Sequence, residues 1–147
     1  MNATAIERAY DRLEDMGVEV MICPFSRFAA LVSPDGFLGM NPLQLASGAE
    51  EHAMLLHEEG HFATGTFYQL DSPYTLRQHQ ENLADRYVFE KYFPPERLRA
   101  AMRAGYTEPW QLAEYFDLPQ PYVEQLLDYY AEARGIDFSA PPAPPGE

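Results

Sequence analysis

Three features of this 147-residue chain predict an α+β fold. Short β-branched and apolar segments cluster between residues 18 and 40, two of them joined by a tight turn. Two long stretches of helical periodicity, 49–64 and 76–93, follow. From there to residue 134, helical runs alternate with breaks marked by Pro and Gly.

Taken in order, residues 3–16 form an amphipathic helix in which Ile6, Ala9, Tyr10, Leu13 and Met16 make the apolar stripe, Tyr10 belongs to the core and Gly17 ends the run. Residues 18–23 (VEVMIC) are a strand carrying Cys23 as a buried residue. Residues 28–33 (FAALVS) and 37–40 form a hairpin around Ser33-Pro34-Asp35-Gly36, with Pro at the second turn position and Gly at the last. Strand 18–23 pairs beside it, giving a small three-stranded antiparallel or mixed sheet. Residues 49–64 (AEEHAMLLHEEGHFAT) are a helix with acidic Glu50 and Glu51 in its first turn and Ala53, Leu55, Leu56, Phe62 and Ala63 at three- and four-residue intervals. A short loop holding Asp71, Ser72 and Pro73 leads to a second long helix, 76–93, with Leu83, Ala84, Tyr87, Val88 and Tyr92 on one side and Pro94-Pro95 stopping it.

Beyond it, residues 95–104 are a short helix. Thr107 is the expected N-cap of the next, whose apolar face is Leu112, Ala113, Tyr115 and Phe116. A turn at 117–120 and a last helix at 121–134 (Val123, Leu126, Leu127, Tyr130) complete the outline of a helix-turn-helix. Residues 135–147 (GIDFSAPPAPPGE) read as a flexible tail. The expected organisation is a core over 1–93, a helical subdomain over 94–134 packed on it, and the tail over 135–147.

Composition narrows the function. Hydrophobic content of 46% supports a packed core. No apolar run approaches the ~18 residues of a membrane span, and residues 1–17 lack the basic and apolar regions of a signal peptide. The single Cys23 cannot form an internal disulfide, so a reducing cytoplasm is the expected compartment. A net charge of −13 argues against nucleic acid or an anionic membrane as the main partner. Residues 111–130 contain no Lys or Arg and carry Glu114, Asp117, Glu124 and Asp128, so the helix-turn-helix outline is expected to be structural, with no direct DNA binding.

The chemistry concentrates in His57-Glu58-Glu59-Gly60-His61. On a helix, positions i and i+4 share a face, so two imidazoles one turn apart can reach one metal ion, and Glu58 can reach a water beside it. This is the H-E-x-x-H arrangement of zinc metallopeptidases. The competing explanation is a solvated helix with two incidental histidines. A catalytic zinc site needs a third protein ligand and an open position. Glu81, 20 residues beyond His61 on the second long helix, is the best placed, and Asp85 lies one turn further on the same face. His79 is the rival ligand; it stands about 200° round the helix from Glu81, so the two cannot both face the metal. Alternatively, Glu81 and Asp85 pair with Arg77 and Arg86 on the helix surface. Two His and one carboxylate also suit Fe(II) or Mn(II).

The combination HEEGH, TGTFY, RQHQENLADRYVFEKYFP and GYTEPWQLAEYFDLPQPYVEQLLDYY, spanning most of the chain, resembles the ImmA/IrrE-type metallopeptidases. The segment Glu81-Asn82-Leu83-Ala84-Asp85 is similar to the Glu-x-x-x-Asp helix of gluzincins. The resemblance implies a zincin-like fold and one Zn2+ held by His57, His61 and Glu81. It implies Glu58 as general base and Asp85 as the residue that hydrogen-bonds a ligand histidine. It further implies an intracellular endopeptidase that cleaves a helix-turn-helix repressor of a prophage or mobile element. Glu59 departs from the family, which carries an apolar residue there. It is expected either to tolerate solvent at the helix edge or to add negative charge near the cleft. Tyr68, Tyr74, Arg77 and His79 all remain open as donors to the oxyanion of the reaction. Two other readings compete: a non-catalytic regulator of the same fold that binds a repressor or antirepressor, and an acidic transcription factor using the C-terminal helices. The intact Glu58 favours the enzyme over the first, and the missing basic residues count against the second.

Overall fold

Residues 3–69 and 71–139 are described by a computed structural model. Thr4 opens α1 (Ala5–Asp15): its hydroxyl accepts from the Glu7 N–H at 3.1 Å, and the Glu7 carboxylate accepts from the Thr4 N–H at 3.0 Å. Ala9 and Leu13 are fully buried. Met16, placed on the apolar stripe by its spacing, lies at the helix C-cap and is exposed. Tyr10 sits at the margin of the core, where its hydroxyl donates to Glu51 Oε2 at 2.9 Å.

Gly17 turns the chain into β1 (Glu19–Ile22), and β2 (Ala30–Ser33) and β3 (Phe37–Met40) form the hairpin. The sheet is mixed, in the order β1-β3-β2, with β1 parallel and β2 antiparallel to β3. Val20, Leu38 and Ala30 turn towards the helices. Cys23 is not a buried strand residue. It follows the end of β1 and is half-buried; its N–H still donates to the Met40 carbonyl at 2.7 Å, but Pro24, lacking an N–H, cannot extend the pairing.

The helix α2 (Gly48–Thr64) begins at Ser47, whose hydroxyl accepts from the Glu50 N–H at 3.2 Å. It stands between two cores. Leu55 packs with Ala9, Leu13, Val18 and Leu38, between α1 and the sheet. Leu56, about 100° round the helix, packs in the larger cluster built from the rest of the chain. That cluster joins α3 (Tyr74–Tyr92), α4 (Pro95–Arg103), α5 (Pro109–Phe116) and α6 (Gln120–Ala133) through Val88, Phe89, Leu98, Leu112, Leu126 and Tyr130. Each such side chain contributes about 1.5–3 kcal/mol on burial. Tyr130, itself fully buried, donates its hydroxyl to the carbonyls of Phe89 at 2.9 Å and Phe93 at 2.7 Å, tying α6 to the end of α3. The described residues therefore form an α+β fold of six α-helices and a three-stranded mixed sheet.

Three local expectations change. The N-cap of α5 is Glu108, one residue later than Thr107. Pro109, with no N–H to offer, occupies the first helical position, and the Gln111 side chain accepts from the N–H groups of Glu108 at 3.0 Å and Thr107 at 3.1 Å. Ile136 and Phe138, from the segment read as a tail, pack against the larger core; residues 140–147 lie outside the described ones. Glu59 is neither solvated nor in the cleft. It is 1% exposed, accepts from Arg12 Nε at 2.8 Å and from the Tyr92 hydroxyl, and so faces α1. Two residues along a helix is a rotation of about 200°, which carries Glu59 away from the face of His57. The cation and the phenol compensate its buried charge.

No helix among the described residues is long and apolar enough to cross a membrane.

The contact that sets the distance between α2 and α3 is at Gly60. A Cβ there would stand 2.5 Å from the Ala84 carbonyl oxygen and 3.1 Å from Val88 Cγ2. Gly60→Ala must push the helices apart, and a loss of about 1–3 kcal/mol is expected. Urea denaturation of the two proteins measures it; an unchanged midpoint would show that the helices do not depend on this contact.

Candidate metal centre

Along α3, Glu81, Ala84, Asp85 and Val88 recur at three- and four-residue spacing and form one stripe facing α2. Ala84 and Gly60 make the close contact, and the two carboxylates on either side of Ala84 are thereby brought onto the histidines. His57 Nε2 lies 2.6 Å from Glu81 Oε2, His61 Nε2 lies 3.1 Å from Glu81 Oε1, and the two Nε2 atoms are 3.2 Å apart. Ligands about 2.0–2.1 Å from a tetrahedral zinc stand roughly 3.3 Å from one another. The three residues thus form a group that can hold a metal ion, their ligand atoms all within 4.8 Å of one another.

The outward nitrogens are held as a metal site requires. His57 Nδ1 donates to Asp85 Oδ1 at 2.9 Å. His61 Nδ1 donates to the Thr66 carbonyl at 2.7 Å. Both acceptors hold the proton on Nδ1, so Nε2 is the nitrogen that gives up its proton when a cation binds. The second bond depends on the end of α2. Gly65 takes up a left-handed conformation (φ 68°), which an L side chain would strain, and its N–H donates to the His61 carbonyl at 2.9 Å. The reversal brings Thr66 back to His61 Nδ1.

Charge in the site is balanced by these contacts. Burial disfavours the charged form of His57, but its hydrogen bonds to Asp85 and Glu81 outweigh that and hold its pKa up at about 10. Burial and Glu81 act on His61 in the same opposed way, with a net rise. Glu81 is pushed up by burial and pulled further down by His57, His61 and Tyr68, so its carboxyl stays well below the ordinary range. Glu58 is raised by burial against the pull of both histidines.

A cleft of about 570 Å³ opens over this group, lined by His57, Glu58, His61 and Glu81, by the loop residues Thr66, Phe67, Tyr68, Gln69 and Asp71, and by Ala30, Leu31 and Val32 of β2. The structure thus brings together His57, Glu58, His61, Glu81 and Asp85. It leaves His79 exposed on α3, outside the lining of the cleft, so His79 is not the third ligand. Neither Arg77 nor Arg86 pairs with Glu81 or Asp85 among the described residues; Arg77 Nε donates to the Ser72 carbonyl at 3.0 Å. Of the four open oxyanion donors only Tyr68 lines the cleft. Its hydroxyl donates to Glu81 Oε1, and burial together with that bond lifts its pKa to about 12. Sequence reasoning missed Thr66, which meets His61 Nδ1 through its backbone oxygen at 2.7 Å and its hydroxyl at 3.1 Å. It also missed the part that β2 plays in the wall of the cleft.

No family model, curated protein or solved structure matches the chain.

The raised His57 pKa has a consequence for the protein stripped of metal with a chelator. A folded-state pKa of about 10 against an unfolded 6.5 makes a contribution to stability that is fully present below about pH 6.5 and is lost as pH rises through 10. Thermal unfolding in EDTA is expected to show a falling Tm from pH 6.5 to 9.5, with a smaller fall in His57→Gln. Parallel curves for the two proteins would show that His57 does not carry this dependence.

Proposed function

We propose that the chain is a zinc-dependent endopeptidase, with His57, His61 and Glu81 as metal ligands and Glu58 as general base. The observation that carries this reading is the pair of anchored histidines. Each turns Nε2 towards Glu81 while its Nδ1 is held by an oxygen acceptor, with Glu58 on the cleft wall beside them. Two imidazoles and one carboxylate are the donor set of zinc hydrolases. The metal, when bound, supplies Lewis acidity that activates water and polarises a carbonyl.

The protein's own groups account for the proton transfers. Glu58, with its pKa raised by burial, takes a proton from the attacking water and returns it to the leaving amine. Asp85 and the Thr66 carbonyl keep both rings in the tautomer that presents Nε2. Tyr68, neutral at physiological pH, stands on the cleft wall and orients Glu81 through its hydroxyl.

A peptide substrate is favoured by the sheet. The order β1-β3-β2 leaves one edge of β2 without a strand partner among the described residues, and β2 lines the cleft with Ala30, Leu31 and Val32. An extended peptide laid along such an edge gains main-chain hydrogen bonds and is carried past the metal ligands. By the resemblance to ImmA/IrrE-type peptidases, the substrate in view is a helix-turn-helix repressor and the compartment the cytoplasm.

Two measurements test this reading. Elemental analysis after incubation with zinc is expected to find about one zinc per chain in the wild type and a large loss in Glu81→Ala; equal zinc in both would move the third ligand elsewhere. Cleavage of a repressor encoded beside this gene, followed by mass spectrometry, is expected to fall by roughly 10²-fold or more in Glu58→Gln, with zinc content retained. A zinc-loaded wild type that binds the repressor and leaves it intact would support the non-catalytic regulator instead.

A further inference from the structure

The chain carries 23 acidic and 10 basic residues, yet three of its arginines line one small pocket. Arg8 and Arg12 of α1, Arg97 of α4 and His52 of α2 surround about 150 Å³ on the α1 side of α2. Arg12 also donates Nε to Glu59, which lies between the two ligand histidines in sequence. Neither Arg8 nor Arg97 forms an ion pair with a carboxylate among the described residues. Arg8 donates to the Ala3 carbonyl and Arg97 to the Tyr92 carbonyl. The one acidic residue lining the pocket, Asp117, engages His52 Nδ1 through its backbone oxygen at 2.8 Å.

Two of the guanidinium groups are fixed by aromatic faces. Arg97 Cζ lies 4.9 Å from the Phe116 ring centroid and 5.2 Å from that of Phe93, and Arg12 Cζ lies 4.4 Å above the Tyr92 ring. Like charges held together are unfavourable unless something is gained from them. Burial lowers the pKa of Arg97; Tyr115 opposes this, and the charges of Arg8 and Arg12 add to it. His52 is lowered by burial, with Asp117 pulling the other way and Arg12 and Arg8 adding to the fall. A guanidinium has five N–H donors in a planar fork, so each of the three keeps donors beyond those used inside the protein.

We propose that this pocket binds a phosphate-class oxyanion through Arg8, Arg12 and Arg97. The pocket's volume of about 150 Å³ admits a phosphate group. Three forks call for a tetrahedral group with several oxygens and a charge of about −1.5 to −2, whereas a carboxylate, with two oxygens, is matched by a single fork. The binding pocket is separate from the metal centre and shares none of its ligands. The oxyanion can arrive as the free ion or as the phosphoryl end of a monoester.

The test is a titration of the full chain with inorganic phosphate and, separately, with methyl phosphate. Ionic strength is held constant with sodium chloride, and the His52 ring signals are followed by NMR. Saturable shifts are expected, with chloride alone producing none. Arg97→Gln and the exposed Arg8→Gln are each expected to weaken binding by about tenfold or more, and Arg103→Gln, outside the pocket, to leave it unchanged. Circular dichroism verifies the fold of each variant, and the Arg8 substitution keeps the test decisive if Arg97→Gln does not fold. Tighter binding of methyl phosphate assigns the site to a monoester, and tighter binding of phosphate to the free ion. Non-saturable shifts, the same shifts with chloride, or full binding by both folded variants would overturn the proposal.

Discussion

The distance between α2 and α3 governs the rest of the structure. Gly60 lies against the backbone of Ala84, where no Cβ would fit. This small-on-small contact lets two helices approach closely enough for short side chains on one to reach rings on the other. Glu81 and Asp85 bracket Ala84 on α3, as His57 and His61 bracket Gly60 on α2. The four polar groups therefore meet because the two small residues do. With the helices held wider, the carboxylates would face solvent, and the histidines would keep only their local partners.

A polar group buried at such an interface must be compensated. The site meets this demand in layers. The Nε2 atoms turn inward to Glu81, and the Nδ1 atoms turn outward to Asp85 and the Thr66 carbonyl. Tyr68 covers Glu81. No side-chain nitrogen or oxygen buried among the described residues lacks a hydrogen-bond partner. Glu59 follows the same logic on the far side of the helix, where Arg12 and Tyr92 enclose it. The helix that carries His57 and His61 is thus held on one side by α3 and on the other by an ion pair to α1. The second attachment brings α1 and its arginines next to α2 in a chain whose overall charge is strongly negative.

Much of this was legible in the sequence. The two long helices, the hairpin around Ser33-Pro34-Asp35-Gly36 and the break at Pro94-Pro95 follow from local rules of periodicity and turn chemistry, which act over a few residues. The i, i+4 spacing of His57 and His61 determines that they share a face, and the same spacing does so for Glu81 and Asp85. These statements need no tertiary information, because a helix places its own side chains.

Other features depended on what packs against what. Glu59 reads as a surface or cleft residue in the sequence; only the position of Arg12, 47 residues away, makes it a buried partner. The half-burial of Cys23, the exposure of His79 and the parallel pairing of β1 with β3 are likewise set by neighbours distant in the chain. Thr66 enters the site mainly through its carbonyl, a group every residue has, and only the chain reversal at Gly65 brings that carbonyl and the hydroxyl to His61. The arginine pocket assembles from three helices whose cations are scattered in the sequence. The sequence alone determined which residues share a face of one helix. Which faces meet was decided by the tertiary structure, because it depends on packing volumes and charge compensation summed over the whole chain.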